Sequence, residues 1–247
     1  MKDNFSTQAA TYAQFRPTYP ADLFDFILQN VENKQIAWDC ATGNGQAAKV
    51  LAQHFDKVFA TDISQKQIDN AAKADNIVYS VGKAEATDFA DNTFDLITVA
   101  QAIHWFDFEK FYAEVRRVAK PNATLAVWGY GVMRFDDEEV DRLIQNFYHH
   151  VVGEYWDAER RHIDEHYSNV PFPFETIETP YFEMTFNWHL YELEGYLNSW
   201  SSVQHFIKRN GYNPIPNLMI DIEAVWRKFN REQVHFPIFM KIGKIRK

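Results

Sequence analysis

Residues 38–46 read Trp38-Asp39-Cys40-Ala41-Thr42-Gly43-Asn44-Gly45-Gln46, and this stretch decides the fold class. An apolar run leads into it, and a helical pattern follows over residues 46–55. A strand, a tight turn with glycines and a helix N-terminus are typical of a nucleotide-type site, because glycines let a ligand approach the backbone. Asp62 ends a second strand-like run, 23 residues after Asp39, where an acid can accept hydrogen bonds from both hydroxyls of a ribose.

The first half of the chain alternates strands with helices. Strands are predicted over residues 36–40, 57–61, 76–81, 94–100 and 124–128, and helices over residues 22–31, 46–55, 65–73 and 108–119. This alternation predicts a parallel, doubly wound sheet. Because ligands bind at the carboxyl ends of such strands, we expect Ala41, Asp62, Ala84 and Gln101, which all follow strand ends, to converge there.

The second half of the chain does not continue this regular alternation of strands and helices. Residues 136–166 are charged and predicted helical, and residues 169–179 are predicted to be a loop because they contain Pro171 and Pro173. Further predictions are a strand over residues 181–188, two short helices over 191–208, a helix over 218–231 and a last strand over 234–242. The two strands fit an antiparallel hairpin that closes the sheet.

Composition narrows the classes of function. The chain has 247 residues and a net charge of −9, so we expect no nucleic acid as a partner. The single cysteine, Cys40, excludes an intrachain disulfide. No apolar run approaches the length of a membrane span, so we expect a cytoplasmic protein without a membrane partner, either a monomer or a homodimer. The histidines at positions 149, 150, 162 and 166 lack tetrahedral spacing, so they predict a solvated helix face and no metal site.

The spacing of the acid and the small residues over 39–45 resembles motif I of the class I S-adenosylmethionine-dependent methyltransferases. Ala41 departs from that motif, which usually has glycine there, and alanine disfavours only a strongly positive φ. Gly82-Lys83-Ala84-Glu85 is similar to the family's adenine-binding turn, and residues 91–96 are similar to the run before its fourth strand. Residues 120–125 resemble the turn before strand five, with Asn122 and Ala123 in place of a glycine pair.

Three further stretches resemble the trans-aconitate methyltransferase-like branch: residues 5–20, 102–106 and 196–201. The resemblance implies an α/β Rossmann-like fold with a seven-stranded, mostly parallel sheet and an antiparallel last strand. Helices would cover both faces, and a helical insert would cover the active site. Within this single domain we expect residues 1–33 to cover the cofactor, residues 34–134 to form the core, and residues 135–247 to supply the insert and the last two strands.

The resemblance also implies S-adenosylmethionine as cofactor, with S-adenosylhomocysteine as product. The residues expected to bind it are Tyr12, Arg16, Asp39, Ala41, Gly43, Asn44, Gly45, Asp62, Ile63, Ala84, Glu85, Gln101 and Ala102. The residues expected to bind a small-molecule acceptor are Tyr19, His104, Trp105, Trp156, Arg160 and Trp200. Arg161, Trp188 and His205 are additional candidates for the acceptor pocket.

The acceptor decides whether a base is needed. A carboxylate is ionised at pH 7 and needs none, whereas a phenol or enol would benefit from His104, whose ordinary pKa near 6.5 suits proton transfer. Members of the larger group methylate carboxylates, polyketides and quinone precursors. Two further alternatives stay open, a regulatory protein without turnover and a nicotinamide oxidoreductase, although the glycine pattern lacks the third glycine of the dinucleotide fingerprint.

Overall fold

The computed structural model describes residues 16–226 and 231–247, and a nine-stranded sheet organises them. The strands are β1 Ile36–Cys40, β2 Lys57–Asp62, β3 Ile77–Val81, β4 Phe94–Ala100, β5 Ala119–Tyr130, β6 Arg134–Phe135, β7 Glu175–Ile177, β8 Phe182–Trp188 and β9 Glu232–Lys244. Their order is β3-β2-β1-β4-β5-β9-β6, with β7 and β8 also paired to β9. The predicted α/β Rossmann-like class is therefore confirmed.

Helices precede and separate these strands. The α-helices are α1 Ala21–Gln29, α2 Gln46–Leu51, α3 Gln65–Asp69, α4 Phe108–Val118, α5 Glu138–Asn146, α6 Arg161–Asp164, α7 Leu190–Asn198, α8 Ser201–Asn210 and α9 Ile215–Val225. Shorter turns are the 3₁₀ segments Ile103–Trp105, Gly153–Tyr155 and Ala158–Arg160 and the π-helical turn Phe147–Val151. No helix in residues 16–226 or 231–247 is both long enough and apolar enough to cross a membrane.

Alternating side chains along the central strands feed two cores, one on each face of the sheet. On β1, Ala37 belongs to the core that contains Leu23 of α1, whereas its neighbour Trp38 belongs to the core that contains Phe111 of α4. Strand β4 is buried through six of its seven residues. A parallel strand that is covered on both faces must be apolar almost throughout, which is why the sequence already marks these strands.

Strand β9 runs against the rest of the sheet. It pairs antiparallel with β5, where Trp128 lies opposite Met240, and Ile238 has partners on both of its edges. The registers place β5 and β6 along one edge of β9 and β7 and β8 along the other. The antiparallel last strand is thus confirmed, and the two short strands β6 and β7 raise the count above the predicted seven.

Several predicted boundaries were wrong. The loop predicted over residues 169–179 contains β7, which approaches β9 at Gly243, where any side chain would collide with the Glu175 carbonyl oxygen. Residues 120–122, predicted as a turn before strand five, lie inside β5 instead, next to an irregular register with β4. Helices α2 and α3 end at Leu51 and Asp69, several residues earlier than their periodicity predicted. Strand pairing overrides the local turn signals at residues 120–122 and 175–177.

Candidate active site

A cavity lies at the carboxyl edge of the sheet, and three parts of the chain wall it. Eight of the residues predicted to bind the cofactor line it: Arg16, Ala41, Gly43, Asn44, Asp62, Ile63, Gln101 and Ala102. All of the residues predicted to bind the acceptor line it too: Tyr19, His104, Trp105, Trp156, Arg160 and Trp200. Of the four strand-end residues expected to converge, Ala41, Asp62 and Gln101 line the cavity with the insert, and Ala84 does not. Tyr12, also predicted to bind the cofactor, lies outside the described residues.

Asp39 supports the turn from below and is not part of the cavity wall. Its carboxylate accepts hydrogen bonds from the hydroxyls of Thr42 and Thr98 and from the backbone N–H of Ala48. Burial raises its pKa from 3.8 to about 6, although these three donors oppose the rise. The residue was predicted to bind the cofactor, but its position is that of a brace between β1, β4 and α2.

The turn itself stores backbone strain. Ala41 has a φ of 56° and Gln101 a φ of 53°, so two residues with side chains adopt the left-handed conformation at the ends of β1 and β4. Each costs about 1–2 kcal/mol, so the alanine in place of glycine is less mild than the sequence suggested. Gly45 has a φ of 78°, and a side chain there would collide with the hydroxyl of Tyr79. Gly45 therefore lies behind the wall and caps α2.

Asp62 joins the two turns that bound one end of the cavity. Its Oδ2 accepts a hydrogen bond of 2.9 Å from the backbone N–H of Gly43, and its Oδ1 accepts one of 2.9 Å from that of Ser64. Ser64 in turn caps α3, as the sequence predicted. These bonds fix the carboxylate at the cavity wall, next to Ile63.

The turn predicted to bind adenine lies away from the wall. Ala84 is buried in the core that contains Trp38 and Phe94. The carboxylate of Glu85 accepts a hydrogen bond of 3.3 Å from the backbone N–H of Asp107, at the start of α4. Neither residue lines the cavity, because the turn folds back on itself through a bridge between Lys83 and Ala86.

Gln101 uses its side chain to extend the pairing of β4 with β5. Its Oε1 accepts a hydrogen bond of 2.7 Å from the Tyr130 backbone N–H, and its Nε2 donates one of 3.1 Å to the Tyr130 carbonyl. The amide thereby holds the end of β5 in place. Tyr130 lines the cavity as a result, a residue that the sequence analysis missed because it lies two positions beyond the predicted strand.

His104 is a weak base in this structure. It is 8% exposed, its Nδ1 lies 3.1 Å from the Tyr167 hydroxyl, and its ring packs beside Trp105. Burial, together with the smaller electrostatic effects of Arg160 and His162, lowers its pKa from 6.5 to about 3. His104 therefore lacks the ordinary pKa near 6.5 on which its candidacy as a base depended. A neutral imidazole with so low a pKa can hydrogen-bond a ligand, but it abstracts protons poorly.

Arg160 presents the free edge of its guanidinium group to the cavity. Its Nε donates a hydrogen bond of 2.7 Å to the Tyr148 hydroxyl and lies 3.6 Å from Asp164, and the Tyr148 hydroxyl donates to the same carboxylate. The Cζ atom stacks 4.5 Å from the centre of the Trp156 ring. Neither Nη atom has a hydrogen-bond partner among the described residues. The side chain is therefore held rigidly on one edge and is open on the other.

An aromatic wall continues from Arg160 across the insert. The rings of Trp156 and Trp200 are 5.4 Å apart, and Tyr148 packs against both. The π-helical turn places Tyr148 there, and such turns are frequent at functional sites. Three other candidates point elsewhere: Trp188 is in the core beside Phe236, His205 contacts the Tyr155 carbonyl, and Arg161 is exposed.

The N-terminal segment closes the opposite side. Arg16 donates a hydrogen bond of 2.9 Å from Nη1 to the Tyr130 hydroxyl, and its Cζ lies 5.4 Å from the centre of the Tyr196 ring. Tyr19 packs edge-on against Trp128. Arg16 is thus tied to the protein through a terminal Nη nitrogen, whereas Arg160 is tied through its Nε.

In the described ranges, no cluster of three His, Cys, Asp or Glu side chains could hold a metal ion. His149 and His150 are exposed, as expected of a solvated face. His162 was wrongly grouped with them. It is buried, and its Nδ1 pairs with Asn169 at 2.6 Å.

Comparisons with known proteins identify the family. Residues 38–127 match the profile of a methyltransferase domain. A Dictyostelium discoideum protein named as a methyltransferase is 32% identical over 249 residues, covering 98% of this chain and 95% of its own length. A solved structure from Anaeromyxobacter dehalogenans, described as a type II methyltransferase, has 36% identity and a TM-score of 0.86, covering 94% of this chain and 99% of its own.

A methyltransferase homologue from Bacillus halodurans shares the fold alone, with 18% identity and a TM-score of 0.57 over 92% of this chain and all of its own. The match to the Dictyostelium protein spans nearly the whole chain, and the Anaeromyxobacter structure has the same architecture. The chain belongs to the class I S-adenosylmethionine-dependent methyltransferases.

Proposed function

We propose that this enzyme methylates a carboxylate oxygen of a small acidic molecule. The observation that carries the proposal is the open guanidinium edge of Arg160 at the cavity wall. Two parallel Nη–H donors match the two oxygens of a carboxylate, and a desolvated fork binds such an anion more strongly than an exposed one does. An acceptor held there would carry at least one acidic group.

The residues of the cavity fit the methyl donor. Asp62 offers carboxylate oxygens at the wall beside Ile63, and the turn at Gly43 and Asn44 carries no large side chain. We expect Asp62 and Ile63 to hold the nucleoside of S-adenosylmethionine and the turn to hold its methionine part. When bound, S-adenosylmethionine supplies an activated methyl group on a sulfonium, which a nucleophile displaces in line.

The residues on the acceptor side of the cavity are better suited to orienting the acceptor than to taking up its proton. Trp156 and Trp200 pack against each other and form an aromatic wall against which a ligand can be held. His104 is neutral at pH 7 and donates or accepts a hydrogen bond without taking up a proton. A carboxylate acceptor fits this arrangement because it is already ionised at pH 7.

An assay of S-adenosylhomocysteine formation and of methanol release from the product tests the proposal. Purified enzyme and S-adenosylmethionine would be incubated with a panel of small carboxylic acids, trans-aconitate first, and with the matching primary amides. We expect S-adenosylhomocysteine to form only with acids, and the product to release methanol in mild alkali, because a methyl ester is cleaved there. Turnover with the amides, or a product stable to alkali, would refute carboxylate methylation.

A second candidate acceptor is a phenol or enol of the quinone or polyketide type. The aromatic wall of Trp156, Trp200 and Tyr196 favours it, because flat rings stack well on aromatic side chains. Such an acceptor would need deprotonation, and the low pKa of His104 disfavours it. The same assay with phenols and enols added to the panel would select this alternative if they, and not the acids, were methylated.

A further inference from the structure

A buried amide without a partner lies in the cavity wall at Gln67. The residue is the third of α3, it is 4% exposed, and it lines the cavity. Its Oε1 is buried and has no hydrogen-bond partner in the described part of the chain. By contrast Gln65, two residues earlier on the same helix, is exposed and donates to Asp69.

An amide in this state has an energetic cost. A buried acceptor without a donor costs about 1–3 kcal/mol, and more than nine in ten buried polar groups have a partner. Exchanging the oxygen and nitrogen of the amide does not remove the cost, because the nitrogen would then be unpaired at the same place. The partner therefore comes from whatever fills the cavity.

The position of Gln67 indicates which part of a ligand supplies the partner. Its backbone N–H donates a hydrogen bond of 3.4 Å to the Ser64 hydroxyl, and the Ser64 backbone N–H donates one to the Asp62 carboxylate. Gln67 is therefore tied to the acid through one intervening residue. A second unpartnered amide, Gln46, follows the glycine turn instead, on the side expected to hold the methionine part.

We propose that the Gln67 amide hydrogen-bonds the nucleoside of the methyl donor, next to Asp62. A nucleoside carries ribose hydroxyls and an exocyclic amino group, all of which can donate to Oε1. Gln67 is thus a specificity-determining residue that favours a ligand with donors at this position. The inference rests on the placement of the nucleoside at Asp62 given under the proposed function.

The test replaces Gln67 with methionine, which keeps the length of the side chain and removes both polar atoms. Titration calorimetry would measure binding of S-adenosylhomocysteine and of methylthioadenosine, which has the nucleoside but lacks the amino acid part. We expect Gln67→Met to weaken both ligands by the same factor, about three- to tenfold, as for one lost hydrogen bond. Gln65→Met is the matched control and should change neither.

The melting temperature of ligand-free Gln67→Met distinguishes a ligand-binding role of Gln67 from a structural one. Removing an unpaired buried amide should leave that temperature equal or higher, whereas a structural hydrogen bond would lower it. Wild-type affinity of Gln67→Met for both ligands, or weakening of S-adenosylhomocysteine alone, would overturn the inference. Failure of the wild-type protein to bind either ligand would overturn the proposed nucleoside site as well, so the two failures are distinguishable.

Discussion

The two walls of the cavity are built in different ways. The wall at the ends of β1 and β2 is made of backbone and of acids that hold it, with Asp62 bonded to Gly43 and Asp39 bracing the turn. The wall formed by the insert is made of side chains that hold other side chains, with Tyr148 and Asp164 fixing Arg160. A backbone site can change little without breaking the sheet, whereas a side-chain site can change its ligand by substitution.

The largest effect should follow from removing the acid of the first wall. We expect Asp62→Ala to weaken S-adenosylhomocysteine about 100-fold, because charge-assisted hydrogen bonds to the ligand and to the Gly43 turn are lost together. Titration calorimetry measures it, with the exposed Asp69→Ala as control. An affinity within threefold of wild type would show that the first wall does not depend on its acid.

A substitution in the second wall should change the KM for the acceptor but not the affinity for the cofactor. We expect Arg160→Met to raise the KM for the acid identified in the panel about 30-fold, as for one lost guanidinium–carboxylate pair, and to leave S-adenosylhomocysteine binding unchanged. Steady-state kinetics measures it, and the exposed neighbour Arg161→Met serves as control. Equal losses for both ligands would mean that the two walls are not separable.

The burial of His104 should appear as acid sensitivity of the fold. Its pKa is about 3 when folded and near 6.5 when unfolded, so its contribution is complete above pH 6.5 and is lost as the pH falls toward 3. Between pH 7 and 5.5 this amounts to about 1.3 kcal/mol, which His104→Gln should abolish.

Urea unfolding at the two pH values measures that difference. Asp39 works in the opposite direction, since its raised pKa makes stability fall as the pH rises from 3.8 to about 6, but it does so equally in both proteins. The exposed His149→Gln should behave as wild type. A wild-type pH dependence in His104→Gln would contradict the burial argument.

The smallest effect should come from loosening Arg160 without removing it. Tyr148→Phe deletes the hydroxyl that accepts from Arg160 and donates to Asp164. We expect a rise of about fivefold in acceptor KM, corresponding to about 1 kcal/mol, with kcat and S-adenosylhomocysteine affinity unchanged. Tyr155→Phe, which removes a hydroxyl bonded to Asn210 outside the cavity, is the control for the kinetic assay.

The same contrast separates what the sequence predicted well from what it missed. Strands β1 and β4 were predicted at their observed bounds, and Asp62 was predicted at the cavity, because strand periodicity and a glycine turn are local signals. Ala84 and Glu85 were expected at the cavity and lie away from it. A motif gives the order of residues along the chain but not the direction in which a turn folds back.

The insert shows more clearly what could not be predicted from the sequence. Trp156, Arg160 and Trp200 were expected at the cavity and line it, but the same analysis also selected Trp188, which is in the core. Tyr148 was not selected, although it determines how Arg160 is held. Nothing in the spacing of aromatic residues distinguishes these cases, since contacts across the insert join positions far apart in sequence.

The sequence by itself determined the parallel sheet, the glycine turn and the acid after β2, because each depends on a short run of residues with its own periodicity or conformation. Only the tertiary structure decided which side chains remain unpaired in the cavity and which ionisable groups lose their ordinary pKa. Arg160, Gln67 and His104 take their properties from neighbours on other elements. Desolvation and pairing are properties of an assembled environment, and no local pattern encodes them.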